Sequence, residues 1–565
     1  MNKLIISIIV VSTIAIGIGA FFVFQKPQTE LSTLPKQSPQ QDIATTTAKS
    51  LFGTMLAFNM DEAPRDTPGI IGTLLKGWTE FRKDNSAYQN LKSNLKKLIQ
   101  DRTKFVMAAG FPIDRGFNYF TWNIIEPKKG QFDWGLTDIY VKGITNAGVK
   151  ISAVVQPFAG WDQKNTLPLA NCNVLDFALY DYKAGPPNDI AEYQNFLTKI
   201  VERYKGKVAV WEIGNEYDGH CGGYENNPQG YFDLVKISSE TIKKVDPKAI
   251  VTNGGASGFA NTDDGEKNFW TKFFELGGGQ YIDYFNLHYN IERSQSAKLD
   301  PVAFEKYLKI YNNLMDKNGG RKPLYLTEFG IYSGAPSEPP STGKPVQRPD
   351  QTQTNLSTQL TPTGQSPNQP PSGGKCGDGI CDDFEKSNPN ACPQDCGGSA
   401  PSGSPGQYQS QSPQGQVPSQ NTQPNQGKTL PKLSENAQAA LYFKDSILAF
   451  ANGVKVVFID LIGDNYIIGS SMAFNIISGQ PRLFLTTLKT IDSKIGGFSR
   501  AEKITGGQYK FTIGNKTVYA LWSGTLPNEI SGQVKVTDIK GQEQIIDAAE
   551  IKLSADRPVF VELRR

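Results

Sequence analysis

Apolar and polar positions follow two different periods along this chain, and the change of period marks its organisation. From Ser50 to about Ser333, short apolar runs are separated by stretches in which apolar residues recur every third or fourth position. These are the patterns of buried strands and of amphipathic helices. Strand-like runs fall at Leu51–Met60, Ile113–Trp122, Lys150–Gln156, Lys207–Ile213, Ile250–Asn253, Tyr284–His288 and Pro323–Thr327. Helical spacing falls between them, at Tyr88–Ile99, Leu136–Ala147, Asp189–Tyr204, Tyr231–Val245 and Ala303–Asn318. The pattern stops near residue 334. It resumes with a helix at Ser434–Asn452, a buried-strand run at Val454–Leu461 and a helix at Arg482–Ile495.

Eight such units predict an α/β protein, a (β/α)8 TIM barrel whose strands 1–7 lie in 50–333 and whose completion lies in 434–498. A doubly wound open sheet is the alternative, but no Gly-rich phosphate turn follows the first strand. From 499 to 565 the period becomes strict alternation (YKFTI, VYALW, QVKVTDI, PVFVELR), which predicts a small C-terminal β-sandwich.

The interruption at 334–433 holds 17 of the 35 prolines and almost no aliphatic residues. It cannot bury enough apolar surface to form a core, so a long disordered insertion after strand 7 is expected. At the other end, residues 4–24 form 21 consecutive positions without a charge. That length spans about one hydrocarbon core. Residues 1–25 are therefore expected as a transmembrane anchor or signal, with 26–49 as a flexible stalk. The run ends in Phe21, Phe22, Val23 and Phe24, a poor cleavage site. The expectation is a single-pass protein of the cell membrane with the barrel region outside, or a secreted one if the segment is removed.

Composition narrows the chemistry. Lys plus Arg is 58 and Asp plus Glu 55, a net charge of +3, which argues against a nucleic-acid partner. Only two histidines are present, His220 and His288, so a multi-histidine metal centre is excluded, and no cofactor is expected. Nothing in the composition speaks to oligomeric state.

Two segments carry the chemistry: Trp211-Glu-Ile-Gly-Asn-Glu216 at the end of the fourth strand and Leu326-Thr-Glu328-Phe-Gly330 at the end of the seventh. Groups at the C-terminal ends of barrel strands converge on one mouth. Glycoside cleavage needs a carboxylic acid to protonate the leaving oxygen and a carboxylate to attack the anomeric carbon.

With Trp122-Asn-Ile-Ile-Glu126-Pro127-Lys-Lys-Gly130-Gln-Phe-Asp-Trp134 after strand two, these segments resemble the clan A retaining glycoside hydrolases. That clan includes cellulases, β-mannanases, β-galactosidases and β-xylosidases. The resemblance implies Glu216 as acid/base, Glu328 as nucleophile and Asn215 on the sugar 2-hydroxyl. It also implies Arg115 orienting the nucleophile and His288 and Tyr289 at the strand-six end, with a carbohydrate as substrate. Two departures stand out. Strand eight lacks the clan's Trp, with Phe458 or Tyr466 as substitutes, and Tyr217 follows the acid/base where a Pro is common.

Among the remaining residues, Glu126 reads as structural and Glu212 as an internal salt-bridge partner, inward by alternation. Trp161 and Tyr224 are candidates for stacking on sugar or for packing, and His220 for a plain loop position. Cys376, Cys381, Cys392 and Cys396 form a compact Cys-rich knot (376–396), expected as two disulfides in an exported chain. Cys172 and Cys221 are a candidate third pair. Asp378, Asp382 and Asp383 make the knot a Ca²⁺ candidate. The leading reading is a retaining hydrolase of β-glycosidic bonds in extracellular glycans. The rival is a non-catalytic glycan-binding or adhesion protein on the same scaffold.

Overall fold

The computed structural model describes residues 50–57, 82–83, 85–163, 185–219, 223–224, 226–257, 264–291, 300–331, 433–460 and 481–564. All six cysteines, His220, Tyr466, the calcium candidates and the segment 4–24 lie outside them.

Strands and helices alternate as β1 (Phe52–Ala57), α1 (Asn85–Ala109), β2 (Ile113–Thr121), α2 (Gly135–Asn146), β3 (Lys150–Gln156), α3 (Ile190–Tyr204), β4 (Val208–Ile213) and α4 (Pro228–Val245). They continue through β5 (Ile250–Asn253), α5 (Asp264–Glu275), β6 (Phe285–Ile291), α6 (Pro301–Lys317), β7 (Leu324–Ile331), α7 (Glu435–Ala451), β8 (Val454–Asp460) and α8 (Leu483–Ile495). The eight strands form one parallel sheet in the order β5-β4-β3-β2-β1-β8-β7-β6. Bridges Thr252↔Tyr284 and Ala256↔Leu287 carry β5 towards β6, and Asn253 and Asn286 exchange side-chain-to-backbone bonds across the gap. The fold is a (β/α)8 barrel.

Side-chain alternation stratifies the interior. Ile113, Val210, Ile250, Tyr284, Tyr325, Val456 and Phe458 form an apolar floor. Two residues further along three of those strands stand Arg115, Glu212 and Asn286, all buried, as the period of two requires. Phe458 is wholly buried with its ring edge-on to Tyr325, so it is floor and not a surface for a sugar.

Six antiparallel strands follow: β9 (Arg500–Thr505), β10 (Gln508–Ile513), β11 (Lys516–Leu521), β12 (Gln533–Thr537), β13 (Glu543–Asp547) and β14 (Val559–Leu563). They hydrogen-bond in one sheet, ordered β13-β12-β14-β11-β10-β9. One face packs on the barrel through Phe443 of α7 against Trp522 and Phe560. The other carries a smaller cluster of Leu521, Ile530, Val534, Val536 and Val561. The alternation expected of a sandwich thus comes from one sheet whose two faces are covered differently.

The expected membrane placement is corrected. No helix among the described residues is long and apolar enough to cross a membrane. The longest, the 25-residue α1, carries Lys92, Lys96, Lys97 and Lys104, a pattern for one apolar face. The membrane as partner and the single-pass placement are withdrawn.

Candidate active site

Arg115 organises the mouth of the barrel. Its side chain is wholly buried on β2 and donates in three directions: Nε to Glu212 Oε2 at 2.9 Å, Nη1 to Glu328 Oε1 at 2.7 Å and Nη2 to Asn215 Oδ1 at 2.7 Å. A planar guanidinium suits such a divergent set because its donors are fixed in direction. Burial alone would disfavour its charge, but Glu212 and Glu328 outweigh that and hold the cation more firmly. Glu212 is the internal partner expected of it. Its Oε1 accepts from Ser152 Oγ at 2.7 Å, and its Oε2 also accepts from Asn286 Nδ2 at 3.1 Å.

Glu216 lies just past β4 with φ at 52°, a left-handed conformation that costs a side-chain-bearing residue of order 1–3 kcal/mol. Its N–H donates to Gly254 O at 2.9 Å, and its carbonyl accepts from Gly219 N at 2.8 Å. Glycines flank the turn for steric reasons. A Cβ on Gly214 would fall 2.3 Å from the Tyr217 ring, and one on Gly255 would fall 2.1 Å from His288 Nε2.

His288 Nδ1 sits 2.7 Å from Glu216 Oε1, and Nε2 sits 3.0 Å from Thr327 Oγ1. The proton positions follow from the chain of partners. Asn286 Nδ2 faces Glu212 Oε2 and the Asn253 carbonyl, both acceptors only, so Asn286 Oδ1 must be the acceptor for Thr327 Oγ1 at 2.9 Å. That bond uses the single hydroxyl proton of Thr327, so His288 Nε2 must be the donor. An imidazole lone pair and a carboxylate would repel at 2.7 Å, so a proton lies between Nδ1 and Glu216 Oε1. Burial opposes a charge on His288. The Glu328 carboxylate and the bonded Glu216 carboxyl outweigh it, so the ring holds its proton above the ordinary histidine range.

Glu216, His288 and Glu328 offer donor atoms all within 4.8 Å of one another. A cation there would displace the His288–Glu216 proton and face the buried Arg115, so the donor set fits a pair of carboxyl groups better than a metal ion.

Other sequence candidates fall elsewhere. Tyr289, expected beside the substrate, is corrected: it is fully buried, with its ring 4.5 Å from Phe304 and 5.2 Å from Tyr307. Adjacent strand residues point to opposite faces, so His288 looks into the mouth and Tyr289 into the α6 interface. Trp161 donates Nε1–H to the Glu126 carbonyl at 2.7 Å and stands edge-on to Trp122. Tyr224 is buried, stacked on Tyr217 at 5.1 Å, which leaves the packing role. Glu126 is buried and structural, accepting from Trp122 Nε1 and Gly130 N. The sequence reading missed Ser152, Asn286 and Thr327. Their signal was parity with Glu212 and His288 on neighbouring strands.

No protein-family model matches the chain. A segment of 124 residues is 27% identical to a β-galactosidase of Lactobacillus acidophilus, covering 20% of this chain and 18% of that enzyme. A segment of 110 residues is 24% identical to an endo-1,4-β-xylanase of Gibberella zeae, covering 20% of this chain and 27% of that enzyme. The chain thus spans less than a third of either curated relative. Among solved structures it is similar to a GH39 β-xylosidase from Caulobacter crescentus (12% identity, 94% of this chain and 98% of that one, TM-score 0.46). It is also similar to the GH39 enzyme of Xanthomonas axonopodis pv. citri (10% identity, 91% of this chain and 94% of that one, TM-score 0.47).

Proposed function

We propose that this chain is a retaining O-glycoside hydrolase that cleaves β-glycosidic bonds by double displacement. The observation that carries the reading is the convergence of Glu216 and Glu328 on one mouth, with donor atoms within 4.8 Å across His288. Carboxyl groups about 5–5.5 Å apart let one of them bond directly to the anomeric carbon, whereas inverting enzymes need a wider gap for water.

Glu328, ionised against Arg115, attacks the anomeric carbon as the bond to the leaving oxygen breaks. Glu216 gives its proton to that oxygen. Water then enters, loses a proton to Glu216 and displaces Glu328, which restores both groups. Between turnovers one proton lies between His288 Nδ1 and Glu216 Oε1, while the Nε2–H of His288 is committed to Thr327. Asn215 accepts from Arg115 through Oδ1, which turns its amide donor to the sugar 2-hydroxyl.

The test is turnover of aryl β-glycosides by the full chain. The names of the two curated relatives place β-galactosides and β-xylosides first in the panel. Glu328→Gln and Glu216→Gln are each expected to lower kcat/KM by about 10³-fold or more. Azide should restore turnover to Glu216→Ala and give the β-glycosyl azide. Silence of the unmutated chain across the panel overturns the reading.

A further inference from the structure

Asp218, two residues beyond Glu216, is buried at 9% exposure, and the reaction scheme above gives it no part. Its Oδ2 accepts from three donors: Ser257 N at 3.1 Å, Ser257 Oγ at 3.0 Å and Trp270 Nε1 at 3.1 Å. Its Oδ1 is buried and has no hydrogen-bond partner. A carboxylate bonded through one oxygen alone, with the other shut away from water, is a costly arrangement. It is retained in the turn that holds Glu216.

Two ties fasten that turn to the loop after β5. Glu216 N–H donates to Gly254 O at one end, and Asp218 accepts from Ser257 at the other. Trp270, on α5, adds a third point from behind. The left-handed backbone at Glu216 is therefore held from both sides.

We propose that Asp218 is a positioning residue for the acid/base: it fixes the Glu216 turn to the β5 loop and α5, and so sets where the Glu216 carboxyl stands. The inference rests on the hydrolase reading.

Electrostatics at the site agree. Burial, which outweighs the three donors, and the neighbouring Glu216 push the Asp218 carboxyl up to about 6. At neutral pH it is ionised. Charged and titratable groups face the pair from every side. Glu216 meets His288 of β6, with Glu328 of β7 and Arg115 of β2 beyond it. Asp218 meets Tyr231 of α4 besides Ser257 and Trp270, and no cation among the described residues pairs with it. His288 touches only the Glu216 side, so the two carboxyl groups are served differently: one by a proton-bearing ring, the other by neutral donors.

Asp218→Asn keeps an acceptor for Ser257 and Trp270 but replaces three charge-assisted bonds with weaker neutral ones. With the full chain, its kcat/KM is expected to fall about 10- to 100-fold for a phenyl β-glycoside, whose leaving group needs the acid. For the dinitrophenyl analogue, which leaves unaided, little loss is expected. If Asp218→Asn does not fold, Trp270→Phe, which loses only the indole N–H, should show the same leaving-group-selective loss on a smaller scale. No turnover by the unmutated chain overturns the hydrolase reading itself. Turnover with equal losses on both substrates overturns the role of Asp218 alone.

Discussion

The barrel mouth and the C-terminal sheet each bury a carboxylate, and they treat it in opposite ways. Glu562 on β14, 6% exposed, is surrounded by three ammonium groups: Lys494 of α8 at 2.6 Å, Lys516 of β11 at 2.8 Å and Lys535 of β12 at 3.5 Å. Burial alone would raise its carboxyl, but Lys494 and Lys516 bring it down to about 2. Asp218 has similar exposure and no paired cation among the described residues, and it is driven up to about 6. In the sheet the charge is neutralised and serves cohesion. At the mouth the charge is left uncompensated, the arrangement in which a carboxyl group responds to its neighbours. Arg115 lies between the two cases: a single cation divided among Glu212, Glu328 and Asn215.

The largest effect on stability is expected at that shared cation. Arg115→Met leaves Glu212 buried without its counter-charge, which costs about 3–5 kcal/mol. Denaturant melts at neutral pH would measure it, and a loss within the scatter of surface substitutions would break the contrast.

A smaller effect is expected in the sheet. Lys494→Met leaves Glu562 with Lys516 and Lys535 and should cost about 1–3 kcal/mol. The sign with pH follows from the depressed value of Glu562. Its contribution is complete above the ordinary glutamate range and fades as pH falls towards about 2. The difference between the unmutated chain and Lys494→Met should shrink over that acid window and not on the alkaline side.

The smallest effect should carry the opposite sign. Asp445 on α7 is fully buried with neither oxygen hydrogen-bonded, and burial holds its carboxyl well above the usual range. A raised carboxyl destabilises the fold at every pH where the unfolded chain would ionise it, and the penalty disappears as pH falls below the unfolded value. Asp445→Asn should therefore stabilise the protein by about 0.5–2 kcal/mol at pH 7 and by less at pH 4, read as a Tm difference at the two pH values.

Much of the architecture was legible because β/α alternation has a strong period. All eight barrel strands fall on the predicted runs, and only their ends moved. Strand 7 runs through to Ile331, because the apolar stretch after Glu328 continues the pairing with β6. Glu216 and Glu328 were legible because short motifs at strand ends carry them. The polar residues beneath were not. Ser152, Asn286 and Thr327 are single polar positions in apolar runs, and their meaning lies in partners on other strands. Tyr289 was misplaced because the motif was read without the strand's parity. Asp218, Ser257 and Trp270 meet only in three dimensions, across separate loops and a helix, and no local pattern links them.

The barrel also closes on itself from far apart in the chain. β1 pairs with β8, Phe52 against Val457, and Leu51 N–H donates to Asp492 Oδ1 across 441 positions at 2.7 Å. Contacts so distant make folding slow, since chain entropy is lost before the pairing is rewarded. On a ribosome the first seven strands would emerge with β1 and β7 still lacking their common neighbour. The nascent chain must therefore wait with two open strand edges, and a chaperone that covers such edges would raise its yield.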